Sequence, residues 1–438
     1  MNRNDRRRLD KTGGAAGLGN GTTPKFGTGP TSVSARLMGE PVLAPMRVGP
    51  PLHLNQAAEH FEAGRLAEAE AICRQILDRT PAEAEAGFLL GVVLLRAGRR
   101  DEALPLLESA AVQLPKRAEP QYFLGLALTE LGRHDQAIPA LRRAVALRSA
   151  YLGAQYALGH ALDRSGDFRA AAAAFETAAK LAPSEFEVLF RLANSLRRAG
   201  ELDAALQAYR QAAMIDRQRQ AVDFWIAALG GAPMPPHPPE RHIVTLFDEY
   251  AEFYDRHQRE QLRYQVPELL LAGAERLDLM PSLDILDAGC GTGLCGAAFR
   301  TFAGRIDGVD LSPRMLDRAN ARGGFDGLMR SDLVLAMRQA PERYDLILAG
   351  DVLPYIGDPR DLLAAAGFVL RPGGWFLFTT EAGEELALRP NGRYVHGPAQ
   401  MAELAAATGL ATAFAEPATL AQEFGAPCLG TLHALRRV

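Results

Sequence analysis

Leu283-Asp-Ile-Leu-Asp-Ala-Gly-Cys-Gly-Thr-Gly-Leu-Cys-Gly296 decides how the second half of this chain folds. Leu283–Ala288 is a short apolar run that reads as a buried strand, and a glycine-rich loop leaves its carboxyl end. Two glycine spacings overlap in that loop. Gly291-x-Gly293-x-x-Gly296 matches a dinucleotide fingerprint but begins too late after the strand. Gly289-x-Gly291-x-Gly293 starts at the strand end and permits close backbone approach to a ligand. Asp287, two positions before Gly289, is expected to point into the loop. A carboxylate there would repel a pyrophosphate seated on the following helix N-terminus and would suit a ligand carrying an ammonium group.

Working outward, Ile306–Asp310, Leu328–Met329, Tyr344–Ala349 and Trp375–Thr380 also read as strands. Helical segments are expected at about 294–303, 313–321, 360–370 and 399–408. The alternation predicts a doubly wound α/β fold, Rossmann-like, whose ligand lies outside the carboxyl ends of a mostly parallel sheet. Asp310 ends the second strand, where a carboxylate accepts ribose hydroxyls. Asp332 follows the third strand and is a candidate acceptor for an adenine amino group, with Leu311 and Leu333 flanking the ring. Three acids at three successive strand ends favour a nucleoside with cationic groups over one with phosphates. S-adenosyl-L-methionine (SAM) has that chemistry.

With these residues in view, the region from about 241 to 438 resembles the class I SAM-dependent methyltransferases. The resemblance rests on Asp287-x-Gly289-x-Gly291-x-Gly293, Asp310-Leu-Ser-Pro-x-Met315, Asp332-Leu333 and Leu370-Arg-Pro-Gly-Gly374. It implies a seven-stranded sheet with an antiparallel last strand, for which Cys428–Arg436 is the candidate. It also implies a SAM site that includes Cys290 and Met315 beside the residues already named. Transfer from a sulfonium needs mainly proximity and orientation, with a base if the nucleophile is protonated. The acceptor atom is therefore poorly encoded, and oxygen, nitrogen and carbon all stay open.

Several residues are candidates around the methyl group. Phe247, Tyr250, Tyr254 and His257 share one helical face before the first strand. Such a face either lids the cofactor, with Tyr250 and Tyr254 attracting the sulfonium, or packs on the sheet. Asp351, after the fourth strand, either orients and deprotonates a nucleophile or caps the next segment, and Tyr355 is placed to shape the pocket. His396, in a loop beyond the fifth strand, is a candidate general base or a polar surface residue. Cys290 and Cys295 lack a partner at zinc spacing, so no metal is expected.

The first half is a repeat. Gly64, Gly98, Gly132, Gly166 and Gly200 recur every 34 residues, as do Ala69, Ala103, Ala137, Ala171 and Ala205. Leu90-Gly91, Leu124-Gly125 and Leu158-Gly159 form another shared pair. Pro81, Pro115 and Pro183 mark unit ends, with Ser149 and Arg217 at the equivalent places, and are expected in the first turn of each following helix. The array resembles five tetratricopeptide repeats spanning 50–219, an all-α solenoid. The resemblance implies a concave face that binds protein; the rival is packing or assembly alone. Residues 220–240 are expected to supply a capping helix around Phe224-Trp225 and a stiff linker, Pro233–Pro239, acting as a spacer between domains.

Forty-eight basic residues against 52 acidic give a net charge of −4, not the basic footprint of a nucleic-acid binder. No apolar run approaches the length of a membrane span. Four scattered cysteines suit a reducing, cytoplasmic setting rather than a disulfide framework. Residues 1–49 read as a disordered basic tail or an over-extended start, and not as a signal peptide. The sequence thus predicts a SAM-dependent methyltransferase whose array docks a protein partner or protein substrate, with a small-molecule acceptor also open. The alternative is a repeat scaffold carrying an inactive SAM-binding domain.

Overall fold

The structure, a computed structural model, describes residues 52–215, 219–252, 254–423 and 426–438. They fall into two compact units divided between residues 217 and 218. The expected N-terminal tail and the repeat position at Arg217 lie outside the described residues.

Among the described residues the first unit is a run of ten helices: α1 Leu52–Glu62, α2 Leu66–Arg79, α3 Ala84–Arg96, α4 Arg100–Gln113, α5 Ala118–Glu130, α6 His134–Leu147, α7 Leu152–Ser165, α8 Phe168–Leu181, α9 Phe186–Ala199 and α10 Leu202–Ile215. They pair as five helical hairpins. Each hairpin turns at its repeat glycine, whose φ of +74° to +88° lies in the left-handed region. The five alanines that follow are fully buried.

The leucine–glycine pairs explain how closely the two helices of a hairpin approach. A Cβ on Gly91, Gly125 or Gly159 would lie 2.9, 2.4 or 2.8 Å from the side chain of Leu107, Leu141 or Phe175 on the next helix. The prolines differ from expectation. Pro81, Pro115 and Pro183 sit in the turns between units, three residues ahead of α3, α5 and α9. There they end the preceding helix instead of opening the next one, as proline after a C-cap does.

The second unit begins with α11 (Arg219–Ala228) and α12 (Glu240–Tyr250). A short helical turn, Tyr254–Arg256, runs into a π-helical turn, His257–Gln261, and then α13 (Val266–Glu275). The α/β core follows: β1 Leu283–Ala288, α14 Leu294–Ala298, β2 Ala303–Asp310, α15 Pro313–Arg322, β3 Gly327–Arg330, α16 Leu333–Met337 and β4 Tyr344–Ala349. It continues through α17 Arg360–Val369, β5 Leu370–Glu381, the small hairpin β6 Ala387–Leu388 and β7 Tyr394–Val395, α18 Pro398–Ala407, β8 Leu410–Glu423 and β9 Ala426–Arg437.

Seven strands form one sheet in the order β3-β2-β1-β4-β5-β9-β8. β1 to β5 are parallel, and β9 runs antiparallel to both β5 and β8. The doubly wound expectation and its antiparallel strand are both met. Alternate residues face two apolar layers, as a strand's two-residue period requires. Leu286, Ile347, Ala349 and Phe378 meet α17 and α18, while Ile285, Leu346, Leu348 and Leu377 meet α13 and Phe299.

The segment expected to stand between the domains belongs instead to this unit. A Cβ on Gly392 would lie 2.8 Å from the Trp225 ring and 3.3 Å from that of Phe224, and the Trp225 ring also meets His242 at 5.4 Å. Pro235 O accepts the Tyr394 hydroxyl at 2.8 Å. Pro236 O accepts the amides of Gly357 and Asp358 at 2.8 and 2.9 Å. Proline carbonyls remain free acceptors, so this stretch satisfies loop amides beside the sheet rather than acting as a bare spacer.

Candidate functional site

The carboxyl ends of β1, β2, β4 and β5 gather most of the residues singled out in the sequence. Gly289, Gly291 and Gly293 all have positive φ, from +54° to +85°, which a side chain would strain. Their surroundings differ. A Cβ on Gly289 would lie 2.5 Å from Val352 Cγ2, and one on Gly293 would lie 2.7 Å from the Phe325 ring. Gly291 meets nothing within 4 Å, so its face is the open one, free for a ligand to approach.

Gly296 answers the second glycine spacing. A Cβ there would lie 2.4 Å from Phe325 Cζ, so this glycine is set by packing between α14 and its neighbours. The dinucleotide match is a packing coincidence.

Asp310 holds the loop from the tip of β2. Its Oδ2 accepts from Gly291 N at 2.9 Å and its Oδ1 from Ser312 N at 2.8 Å. Burial raises its pKa, against the backbone amides that favour the ionised form. Asp287 departs from expectation. It is 1% exposed, and its Oδ2 accepts from Gly296 N at 2.8 Å. The acid is turned inward and fastens the far end of the loop from beneath. Burial, with a smaller push from Asp310, raises its pKa to about 7. A charge pointing at the ligand is therefore not what Asp287 supplies.

Asp332 stands exposed after β3, and its Oδ1 caps α16 by accepting from Leu335 N at 3.1 Å. Leu311 and Leu333 are half-buried beside these acids. Met315, expected at the cofactor, is buried at 1% exposure, and its amide donates to Ser312 Oγ at 3.1 Å, capping α15. Cys290 and Cys295 are buried free thiols whose pKa values burial pushes well up. Among the described residues no group of acids, histidines and cysteines is placed to hold a metal.

The expected single helical face is broken, since α12 ends at Tyr250 and Tyr254 and His257 fall in the short helical and π-helical turns that follow, yet the rings still gather. The Tyr250 ring meets Tyr254 at 4.9 Å and His257 at 5.5 Å, while Phe247 meets Tyr355 at 5.1 Å. Polar contacts fix this segment over the strand ends. Ser312 Oγ donates to Asp248 at 2.6 Å, Thr292 Oγ1 donates to Asp255, and Arg322 pairs with Asp255 while donating to Thr292 O at 2.7 Å. The glycine loop and the aromatic segment are thus tied through Asp255.

Asp351 follows β4 with φ at +59°, a strained position for a residue other than glycine, and its amide donates to Thr379 Oγ1 at 3.2 Å. Arg393 is the residue that sequence reasoning missed. It is 8% exposed; its Nη2 donates to Asp351 Oδ1 at 2.7 Å, its Nε lies 2.6 Å from Glu381 Oε1, and its Nη1 donates to the Tyr355 hydroxyl at 3.4 Å. A carboxylate ending β4 and another ending β5 thus share one buried guanidinium. His396, the expected base, is turned inward at 1% exposure, with Nε2 3.2 Å from Gly357 O. Burial lowers its pKa.

A glycine loop with one open face is thus fastened to an acid at the tip of the second strand of this sheet. Residues 286–376 match the methyltransferase domain family, and residues 54–118, 88–151 and 156–221 match the tetratricopeptide repeat family. The chain therefore joins a tetratricopeptide repeat array to a methyltransferase domain.

Among curated relatives, ubiquinone biosynthesis O-methyltransferase of Hydrogenovibrio crunogenus is 26% identical over 38% of this chain and 75% of its own. Malonyl-[acyl-carrier protein] O-methyltransferase of Pseudescherichia vulneris is 31% identical over 34% of this chain, and this chain spans 56% of its length. Ubiquinone biosynthesis O-methyltransferase of Leptothrix cholodnii is 28% identical, with 57% of its length spanned. Among solved structures, the MamA protein is 24% identical with a TM-score of 0.35, over 37% of this chain and 89% of its own. YrrB, described as a tetratricopeptide repeat protein with an unusual peptide-binding site, is 22% identical at the same TM-score, over 37% and 84%. No helix among the described residues is long and apolar enough to cross a membrane.

Proposed function

We propose that the unit from 219 to 438 transfers a methyl group from SAM to an oxygen acceptor, and that the repeat array docks the protein that is, or presents, that acceptor. The observation that carries the cofactor half is the open face of Gly291 beside the Asp310 carboxylate at the strand ends. The donor set fits SAM: an acid for ribose hydroxyls and a second acid at Asp332 for the adenine amino group. The three named relatives being O-methyltransferases is what favours oxygen.

When bound, SAM supplies an electrophilic methyl on a positively charged sulfur. The chain's own residues do the rest. Asp310 holds the ribose and Gly289–Gly293 yield room for the amino-acid end. Asp287 acts from beneath by keeping the loop in place. Leu311 and Leu333 flank the base, while Tyr250 and Tyr254 bring an aromatic surface over the site and exclude water. Tyr355 shapes the acceptor side, and Asp351 takes up a proton there. His396 supports the loop at Gly357 rather than meeting the acceptor.

For the array, the support is its five helical hairpins in one 34-residue register, an architecture that suits a protein ligand. Transfer of labelled methyl from SAM to a component of cell extract tests the enzymatic reading. Absence of transfer from a chain that binds SAM would favour an inactive scaffold.

A further inference from the structure

The charges around Asp351 restrict what kind of acceptor can enter. On one side, Arg393 grips Oδ1 at 2.7 Å; no hydrogen bond is made by Oδ2 among the described residues. Glu381 adds a second carboxylate 2.6 Å from the same guanidinium. Two negative groups thus face one buried positive one. Arg389 approaches Glu381 only at 3.9 Å and is half exposed, with its other nitrogen on Ala382 O. The remaining groups facing Asp351 are phenols and a thiol. Tyr254 is half-buried, its pKa raised by desolvation and then by the field of Asp351, Tyr355 sits on Arg393, and Cys295 is buried and protonated. The ledge therefore has an excess of negative charge, and its cation is already engaged by two carboxylates.

Position links this ledge to the cofactor loop. Val352, the next residue, fills the space against Gly289. The hydrogen-bond acceptor left open on Asp351 is one residue removed from the glycine loop.

From this arrangement we infer that the methyl acceptor enters as a neutral protic group, a hydroxyl in the first place or an amine, that donates its hydrogen to Asp351 Oδ2, and that Arg393 is the residue that positions this carboxylate. A preformed carboxylate acceptor is disfavoured on the protein side, because it would bring a third negative charge against Asp351 and Glu381, which among the described residues already share the Arg393 guanidinium. The inference rests on the methyltransferase reading above. In the step, a lone pair on the acceptor oxygen forms the new bond to carbon. The carbon–sulfur pair stays on sulfur as a neutral thioether, and the acceptor's proton passes to Asp351 and then to solvent.

Base lability of the product tests this without knowing the acceptor. The full chain is incubated with methyl-labelled SAM and a desalted extract of its own cells, and the products are treated with mild alkali. Methyl esters release volatile methanol, whereas ethers and methylamines do not. Most of the label staying base-stable is the expected result; most of it leaving as methanol would overturn the inference.

Two variants read the roles separately. Asp351→Asn should lower transfer by about 100-fold or more, the scale of a lost proton acceptor. Arg393→Gln should lower kcat while leaving the affinity for S-adenosylhomocysteine unchanged, because Asp351 loses the guanidinium that holds its Oδ1 in place. A merely structural Arg393 would weaken S-adenosylhomocysteine binding along with the rate, which would count against the assignment. Calorimetry with S-adenosylhomocysteine is run on each protein, and both variants should bind it as the parent does. If the parent binds it but moves no label, the acceptor inference falls while the cofactor site stands. If the parent binds neither S-adenosylhomocysteine nor SAM, the methyltransferase reading itself has failed.

Discussion

Asp310 at the tip of β2 accepts a hydrogen bond from Gly291 N at 2.9 Å, so the carboxylate that shapes the glycine loop is also the one proposed to hold the ribose. Removing it breaks both functions. Asp310→Ala should weaken SAM binding by about 10- to 100-fold, the value of one or two charge-assisted hydrogen bonds at about 1.5–3 kcal/mol. Isothermal titration of SAM into the full chain reads this directly. Unchanged affinity would remove Asp310 from the site.

Asp287 gives a pH signature. Its folded pKa of about 7 lies above the ordinary value of 3.8, so the folded chain keeps this proton while the unfolded chain has lost it. The contribution to stability is full below about pH 3.8, declines as pH rises through 7, and is constant above. Asp287→Asn removes the burial cost of the charge and keeps an acceptor for Gly296 N. The variant should gain in melting temperature relative to the parent clearly more at pH 8 than at pH 5, where only part of the decline has set in. An equal difference at both pH values would show that the acid is not buried.

In the array, Gly125 and Gly98 are glycines for different reasons, and alanine separates them. At Gly125 a Cβ would lie 2.4 Å from Leu141 Cγ, so Gly125→Ala overpacks the hairpin and should cost about 1–3 kcal/mol. At Gly98 the φ is +78° with nothing within 4 Å, so Gly98→Ala should cost only about 1–2 kcal/mol of backbone strain. Leu141→Ala should reduce the penalty at Gly125 and leave that at Gly98 unchanged. Urea unfolding of the three single and two double variants measures the coupling.

The stretch from Phe224 to Pro236 should behave as part of the catalytic unit. A fragment beginning at Arg219 keeps the rings of Phe224 and Trp225 against Gly392 and the carbonyls of Pro235 and Pro236 on Tyr394, Gly357 and Asp358. One beginning at Pro239 loses all of these. The longer fragment should unfold cooperatively at a clearly higher temperature than the shorter. Equal melting temperatures would mean that the segment is a spacer after all.

These contrasts show where sequence is informative. β1 and β4 are short, apolar and closed by glycine or acid, so Leu283–Ala288 and Tyr344–Ala349 are legible to the residue. β8 is not, because Leu410–Glu423 is alanine-rich with little β-branching and takes its strand form from pairing with β9. The helix signal at 313–321 is plain, with Ser312 capping and proline first. The 294–303 segment is helical only as far as Ala298, because β2 begins at Ala303.

Within the site, acids at strand ends are visible in sequence, but the direction a side chain takes is not. Asp287 and His396 turn inward because local amides and a carbonyl receive them there. Arg393 escapes notice because its partners, Asp351, Tyr355 and Glu381, come from distant segments that only the fold assembles. The proline-rich stretch misleads in the same way: stiffness is written in its composition, while the amides it satisfies are not.

Binding of the cofactor is the most direct test of the central claim, that the carboxyl edge of this sheet is a SAM site. The full chain is titrated by calorimetry with SAM, S-adenosylhomocysteine and NAD in the same buffer. Saturable binding of the first two at one site, lost in Asp310→Ala, with no heat from NAD, is the expected result. Binding of NAD without either adenosyl ligand would contradict the account.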